Sequence, residues 1–321
     1  MKIKPILLIA GEPNSIFFEI FFKSIKNRSL KSPLILICCK NILKKQMKKF
    51  KIKKDLKIIK FNKINNYLLN NKTINLIDVP LKKSTNKKVN NFFVRNYIKL
   101  SFDSGIKLLK DKFTYKLING PINKTSFLNK KFLGITEYIA KNFNRKKIGM
   151  LIYNKKLSVC PLTTHLPIKM VAQKITKKLV EEKIKLISDF YKDNFKINPK
   201  IAVTGLNPHC ESILQFNEDA KIIKPAIKKA KRKKINVSGP FSADTIFLKR
   251  NRKKYDVILG MFHDQVLGPL KALYEYDAIN ITMGLPILRV SPDHGPNIKM
   301  VGKNKSNPQS LIKALEFLDN K

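Results

Sequence analysis

His165, His209 and His263 each stand just beyond an apolar, β-forming run of this 321-residue chain. Residues 157–162 lead into Thr163, Thr164 and His165; residues 201–204 into Gly205, Leu206, Asn207, Pro208 and His209; residues 256–261 into His263, Asp264 and Gln265. In open α/β sheets the carboxyl ends of parallel strands share one edge, and ligands bind there, so three imidazoles delivered by three strand ends could converge on one ion. Three neutral nitrogens leave a position open for a substrate oxygen or water, whereas a structural zinc site normally closes with four ligands and favours cysteine. Asp244 and Asp264 could orient the ligands or act as a general base. The alternative is three unrelated loop histidines.

Lys271, Asn280 and Arg289 are embedded in segments that otherwise look apolar. Fixed cations suit a phosphate or carboxylate, and an amide both donates and accepts; the ordinary alternative is surface salt bridging. Asn119, Gly120, Pro121, Ile122, Asn123 and Lys124 follow a strand-like run at 115–118. Such a loop could hold an anion on its amide and ammonium donors, or merely turn the chain.

The elements that must position these residues alternate strand and helix. Residues 6–10 read as a buried strand, the turn cluster Gly11, Glu12, Pro13 and Asn14 opens a helix through Glu19, and residues 34–39 form a second strand before a lysine-rich helix. Parallel strands joined by helices are therefore expected. Val94, Ile98, Phe102, Ile106 and Leu109 fall on one helical stripe, and residues 134–138 lead into another helix. Pro167 followed by Ile168, Val171, Ile175 and Leu179 marks a single amphipathic helix. Residues 50–91 carry no periodicity that assigns them.

Length favours two lobes, and a cleft between lobes is a common place for a ligand. Hydrophobic residues make up 43% of the chain, which argues for a globular protein. The net charge of +44 would ordinarily suggest nucleic acid or an anionic membrane. Lysine far outnumbers arginine, however, and accompanies abundant Ile and Asn, as an AT-rich coding sequence would leave, so runs such as KKAKRKK from Lys228 read as solvated helix faces. No nucleic-acid or membrane partner is expected, although the field should attract an anionic substrate. The start MKIKPILLIAGEP is too short in its apolar part for a signal peptide and no run reaches membrane-span length, so a cytoplasmic location is the expectation. Cys38, Cys39, Cys160 and Cys210 lack CxxC spacing and read as reduced core or loop residues.

The segments LINGPINK, TTHLPIK, TGLNPHCE, GPFSADTIF, MFHDQVLGPLK and INITMGLPILRVSPDHG together resemble, in order and spacing, the 4-hydroxythreonine-4-phosphate dehydrogenase family of vitamin B6 biosynthesis. The resemblance implies an α/β, two-domain αβα architecture like that of isocitrate and isopropylmalate dehydrogenases, with the active site in the interdomain cleft. Residues 1–134 and 285–321 would form the first α/β domain and residues 135–284 the second. It implies His165, His209 and His263 as metal ligands, Thr136, Lys271, Asn280 and Arg289 as substrate contacts, and a homodimer with its active site at the interface. Asp244, Asp264 and Lys271 are the candidate catalytic residues. The ion would be zinc, alternatively cobalt or magnesium. His294, Gly295 and Asn297 resemble the loop that holds the adenosine half of NAD or NADP in the wider superfamily, which lacks the GxGxxG fingerprint also absent here. Lys299 would tolerate a 2′-phosphate.

The implied reaction is NAD(P)-dependent oxidation of 4-phosphooxy-L-threonine to a 3-oxo acid that decarboxylates to 3-amino-2-oxopropyl phosphate. Ile135 stands where the family usually has histidine, Ser15 and Phe17 where it favours glycine, and the loop after His209 has lost glycines. A sister dehydrogenase acting on 4-phosphothreonate or 4-phosphoerythronate is therefore the alternative. A basic nucleic-acid-binding protein is the reading from another class; it gives no reason for three histidines at strand ends.

Overall fold

Ile6–Ile9 (β1) and Leu34–Cys38 (β2) are buried along their whole length, as strands covered on both faces must be. The computed structural model describes residues 3–82, 91–123, 127, 134–211, 216–292 and 295–321. The chain divides into two units, Met1–Asn144 with Pro286–Lys321, and Arg145–Leu285.

In the first unit, β1 and β2 join Leu56–Ile58 (β3), Ile74–Asp78 (β4), Lys116–Asn119 (β5) and Leu288–Pro292 (β12) in the order β3-β4-β2-β1-β5-β12, every pair parallel. Helices Phe17–Ile25 (α1), Lys40–Lys49 (α2) and Asn91–Lys110 (α3) lie between strands in the chain, as parallel pairing requires. All five residues of the expected α3 stripe are buried. β3 and β4 arise within the stretch left unassigned from sequence; β3 is short and its residues are at least partly exposed, so its pattern is weak.

Ile135–Asn142 (α4) belongs to this first unit, so the division expected after residue 134 falls after 144. The reason is aromatic packing: the Tyr138 ring lies edge-on to Phe102 of α3 at 6.0 Å and to Phe127 at 5.4 Å.

The second unit contains Gly149–Tyr153 (β6), Ser158–Thr163 (β7), Ile201–Thr204 (β8), Val237–Phe241 (β9), Val257–Phe262 (β10) and Ile279–Met283 (β11), in the order β11-β6-β7-β10-β8-β9. The expectation of parallel strands holds for β7, β10, β8 and β9, whereas β11 with β6 and β6 with β7 are antiparallel. A four-residue link joins β6 to β7, too short for the crossover a parallel pair needs.

The single helix expected from Pro167 does not form. A 3-10 turn (Ile168–Met170) and a short helix (Val171–Lys174) end at Ile175, whose backbone is extended, and a new helix, Lys177–Phe195 (α5), starts beyond it. Thr176 caps α5 by accepting from the Leu179 amide at 3.2 Å, a competing local bond that breaks the helical run.

Lys224–Arg232 (α6) buries Ala226, Ile227 and Ala230 and turns its lysines outward, with Lys229 paired to Glu181 at 2.8 Å. His263–Tyr274 (α7) and Gln309–Asp319 (α8) complete the principal helices. All four cysteines are free and buried. Among the described residues no helix is long and apolar enough to cross a membrane.

Candidate active site

In the second unit, β10 lies between β7 and β8, and the three histidines follow the carboxyl ends of these three neighbouring strands. His165 stands two residues beyond β7, His209 in the turn Pro208–Cys210 beyond β8, and His263 is the first residue of α7 directly after β10. The register Phe262↔Thr163 sets the ends of β10 and β7 level. The rings of His165 and His263 are 6.5 Å apart. His165 and His209 are exposed and His263 half-buried. His165 and His209 both hold left-handed backbone, φ 56° and 55°, a conformation that bulky L side chains rarely adopt and that clusters at functional sites.

Asp264 places Oδ1 at 2.6 Å from Nδ1 of His263. A carboxylate there keeps the proton on Nδ1 and offers the Nε2 lone pair outward, which is how metal-binding imidazoles are usually held. Asp244 accepts from the Ser242 hydroxyl at 2.6 Å. That bond first, and the His209 imidazole second, hold its carboxyl below the usual aspartate range. Asp264 and Asp244 are both exposed.

The donor set fits a divalent ion in chemistry, but its geometry is open. Two imidazoles on one tetrahedral ion, with bonds of about 2.0–2.1 Å, hold their ring centres about 5 Å apart. Among the described residues no group of three His, Cys, Asp or Glu stands close enough to hold an ion as placed. Side-chain rotation at His165 and His209, both exposed, is the available adjustment.

Lys271, expected in an apolar setting, is exposed in the last turn of α7. Helical geometry turns it outward, while Val266, Leu267 and Leu270 take the buried face. Asn280 is half-buried on β11, opposite Ile152 of β6.

The first unit brings Thr136 and Arg289 together. Arg289 is 2% exposed on β12; its Nε donates to Asn119 Oδ1 at 2.8 Å and its Nη1 to Thr136 Oγ1 at 3.0 Å. Burial pulls its pKa down to about 10, opposed by the Glu137 carboxylate, so the guanidinium stays charged at neutral pH. Asn119 ends β5, the strand beside β12, so its amide meets the guanidinium across the pair. In sequence Asn119 reads as a turn donor; its role as an acceptor for Arg289 depends on strand pairing that no local signal carries.

Of the cofactor loop, Gly295 and Asn297 are exposed, and His294 and Asp293 lie outside the described residues, as does Lys124. Asn297 adopts φ 45° and donates to Met300 Sδ at 2.8 Å. The Pro296 carbonyl accepts from the Ile16 amide at 3.2 Å, tying this loop to the approach to α1. Ser15, where glycine was expected, braces that approach by donating to Glu12 O at 2.7 Å and accepting from Phe17 N at 3.3 Å. Gly11 holds φ 75°, and a side chain there would run into the Pro121 carbonyl.

Largely parallel strands with chemistry at their carboxyl ends define an α/β enzyme, and the fold is that of a dehydrogenase. The crystal structure of 4-hydroxythreonine-4-phosphate dehydrogenase from Klebsiella pneumoniae superposes with a TM-score of 0.84 at 28% identity, covering 98% of each chain. The chain belongs to the PdxA family: residues 29–318 match the family described as pyridoxal phosphate biosynthetic protein PdxA. It is 35% identical over 314 residues to 4-hydroxythreonine-4-phosphate dehydrogenase of Sulfurihydrogenibium sp. (strain YO3AOP1), covering 96% of this chain and 95% of that one. D-threonate 4-phosphate dehydrogenase of Pectobacterium atrosepticum is 34% identical over 206 residues, 63% of each chain.

Proposed function

We propose that this dehydrogenase oxidises 4-phosphooxy-L-threonine at its C3 hydroxyl, using NAD or NADP and one divalent ion held by His165, His209 and His263. The observation that carries this reading is the delivery of three imidazoles to one edge by the adjacent strands β7, β10 and β8. When bound, the ion would lower the pKa of the substrate hydroxyl and the nicotinamide would accept the hydride from C3. Zinc is the first candidate on imidazole affinity, with cobalt or magnesium as alternatives. The 3-oxo acid so formed loses carbon dioxide to leave 3-amino-2-oxopropyl phosphate.

The chain's own residues bind, orient and move protons. Arg289, fixed by Asn119 and Thr136, is a buried cation suited to an anionic group of the substrate. Asp264 holds the Nδ1 proton of His263 and thereby its orientation. Asp244, whose carboxyl is kept ionised, is an acceptor for the hydroxyl proton. Lys271 is an exposed ammonium that can return a proton to the carbon left by decarboxylation, and Asn280 can donate or accept at the substrate. Gly295 and Asn297, with His294, form the proposed adenosine loop, and Lys299 beside them favours tolerance of a 2′-phosphate. The working form is proposed to be a cytoplasmic homodimer.

Ile135 favours keeping a second substrate in view. It is half-buried in the first turn of α4, where the family usually supplies an imidazole, so this chain lacks one donor for a phosphate. Parallel assays with 4-phosphooxy-L-threonine, 4-phosphothreonate and 4-phosphoerythronate test the assignment. The first should show the highest kcat/KM; a higher value for either of the others would reassign the substrate.

A further inference from the structure

Gln265 follows His263 by two residues and has no part in the chemistry above, yet its amide joins the ends of two strands. Its Oε1 accepts from the Met261 amide at 2.7 Å and from the Thr204 hydroxyl at 2.8 Å, and its Nε2 donates to the Gly205 carbonyl at 2.8 Å. The amide can face only one way. Rotated by half a turn, it would set its NH2 against the Met261 N–H and its oxygen against the Gly205 carbonyl.

Met261 belongs to β10, which ends one residue before His263, and its carbonyl accepts from Thr163 Oγ1 at 2.8 Å. Thr163 is the last residue of β7, two before His165. Thr204 ends β8 and Gly205 opens the loop to His209. That loop is anchored further on by Asp219, a fully buried carboxylate that accepts from Leu206 N at 2.8 Å, Asn207 N at 3.1 Å and Asn207 Nδ2 at 2.9 Å. Gly205 has no room for a side chain, which would meet Cys210 Sγ and Asp219 Oδ1. The three histidine-bearing ends are thus bonded to one another through the buried Thr163 and Thr204 and the half-buried Gln265, and Gln265 is the member that touches both β8 and β10.

We propose that Gln265 is a positioning residue for the histidine set: it locks the backbone from which His165, His209 and His263 project, so that only exposed side chains must move when an ion binds. The inference rests on reading those histidines as metal ligands. Outer groups that orient ligands set affinity through preorganisation, and losing one typically lowers metal affinity by about 10- to 100-fold.

The test is competitive titration of Co(II) and Zn(II) against a chromophoric chelator with the full chain, alongside the visible absorption of the cobalt form and the melting midpoint without metal. Gln265→Leu should bind cobalt about 10- to 100-fold more weakly and alter its absorption, and Thr204→Val, which removes one bond to Oε1, should weaken binding less. A glutamine that merely stabilised the fold would lower the melting midpoint and leave affinity, measured well below that midpoint, unchanged. Wild-type affinity in Gln265→Leu overturns the inference, provided His263→Ala has lost binding. Should Gln265→Leu not fold, wild-type affinity in Thr204→Val overturns it. If His263→Ala binds cobalt as tightly as the wild type, the ligand reading falls and the inference falls with it.

Discussion

Arg289 shows what a single buried charge demands of its surroundings. The bonds of its guanidinium to Asn119 and Thr136 use the planar fork, which a lysine ammonium cannot reproduce. Arg289→Lys should raise KM for the phosphorylated substrate at least about tenfold in steady-state kinetics, the cost of one charge-assisted bond. Arg289→Ala should also destabilise the fold by about 1–3 kcal/mol in urea titration, because it leaves the buried Asn119 Oδ1 without its donor and the half-buried Glu137 without its opposite charge. Glu12 carries the opposite problem. Burial raises its pKa above 4.5, opposed by the Asn123 amide, and its Oε2 is buried with no hydrogen-bond partner among the described residues. An acid whose folded pKa is raised binds its proton more tightly in the fold, so stability falls as pH rises from the unfolded pKa through the folded one. Glu12→Gln should therefore be more stable than the wild type at neutral pH, with the gain shrinking as pH falls through the folded pKa towards 4.5; a difference independent of pH would show that ionisation is not the cause. None of this was legible in the sequence, which marked Arg289 as a cation in an apolar segment but could not give its partners.

Elements were legible where one residue pattern sufficed. β1, β2 and β10 are uninterrupted apolar runs, β7 is apolar between Ser158 and Thr163, and the α3 stripe repeats at helical spacing, so each declares itself without its neighbours. β6 and β11 did not, because their antiparallel pairing joins residues far apart in the chain, Ile279 with Tyr153 for example. The stripe from Ile168 to Leu179 misled for a different reason: apolar periodicity ran through a break set by the Thr176 cap. Thr176→Ala should cost about 1 kcal/mol of stability, measured by chemical denaturation, as other N-cap losses do; an unchanged midpoint would deny the cap its role. The placement of three histidines beyond strand ends was readable because strands and histidines are both local signals. The glutamine and aspartate that brace those ends were not, since their partners lie 60 and 13 residues away.

Across the whole molecule, 66 basic residues against 22 acidic ones create a positive field with no tight polyanion site needed to explain it. The lysines of α6 face solvent while its alanines and isoleucine are buried, as expected of a solvated face. Such a field steers anions, so raising ionic strength should lower kcat/KM for a phosphorylated substrate several-fold while kcat changes little. Equal falls in both would point to a salt effect on the chemical step. The central claim concerns the reaction itself, and a single turnover assay addresses it: metal-stripped protein supplied with 4-phosphooxy-L-threonine, NAD or NADP, and one divalent ion at a time. The account predicts formation of reduced nicotinamide with release of carbon dioxide, dependent on added metal and abolished in His165→Ala, His209→Ala and His263→Ala. Turnover that persists without metal, or in all three histidine variants, would contradict it.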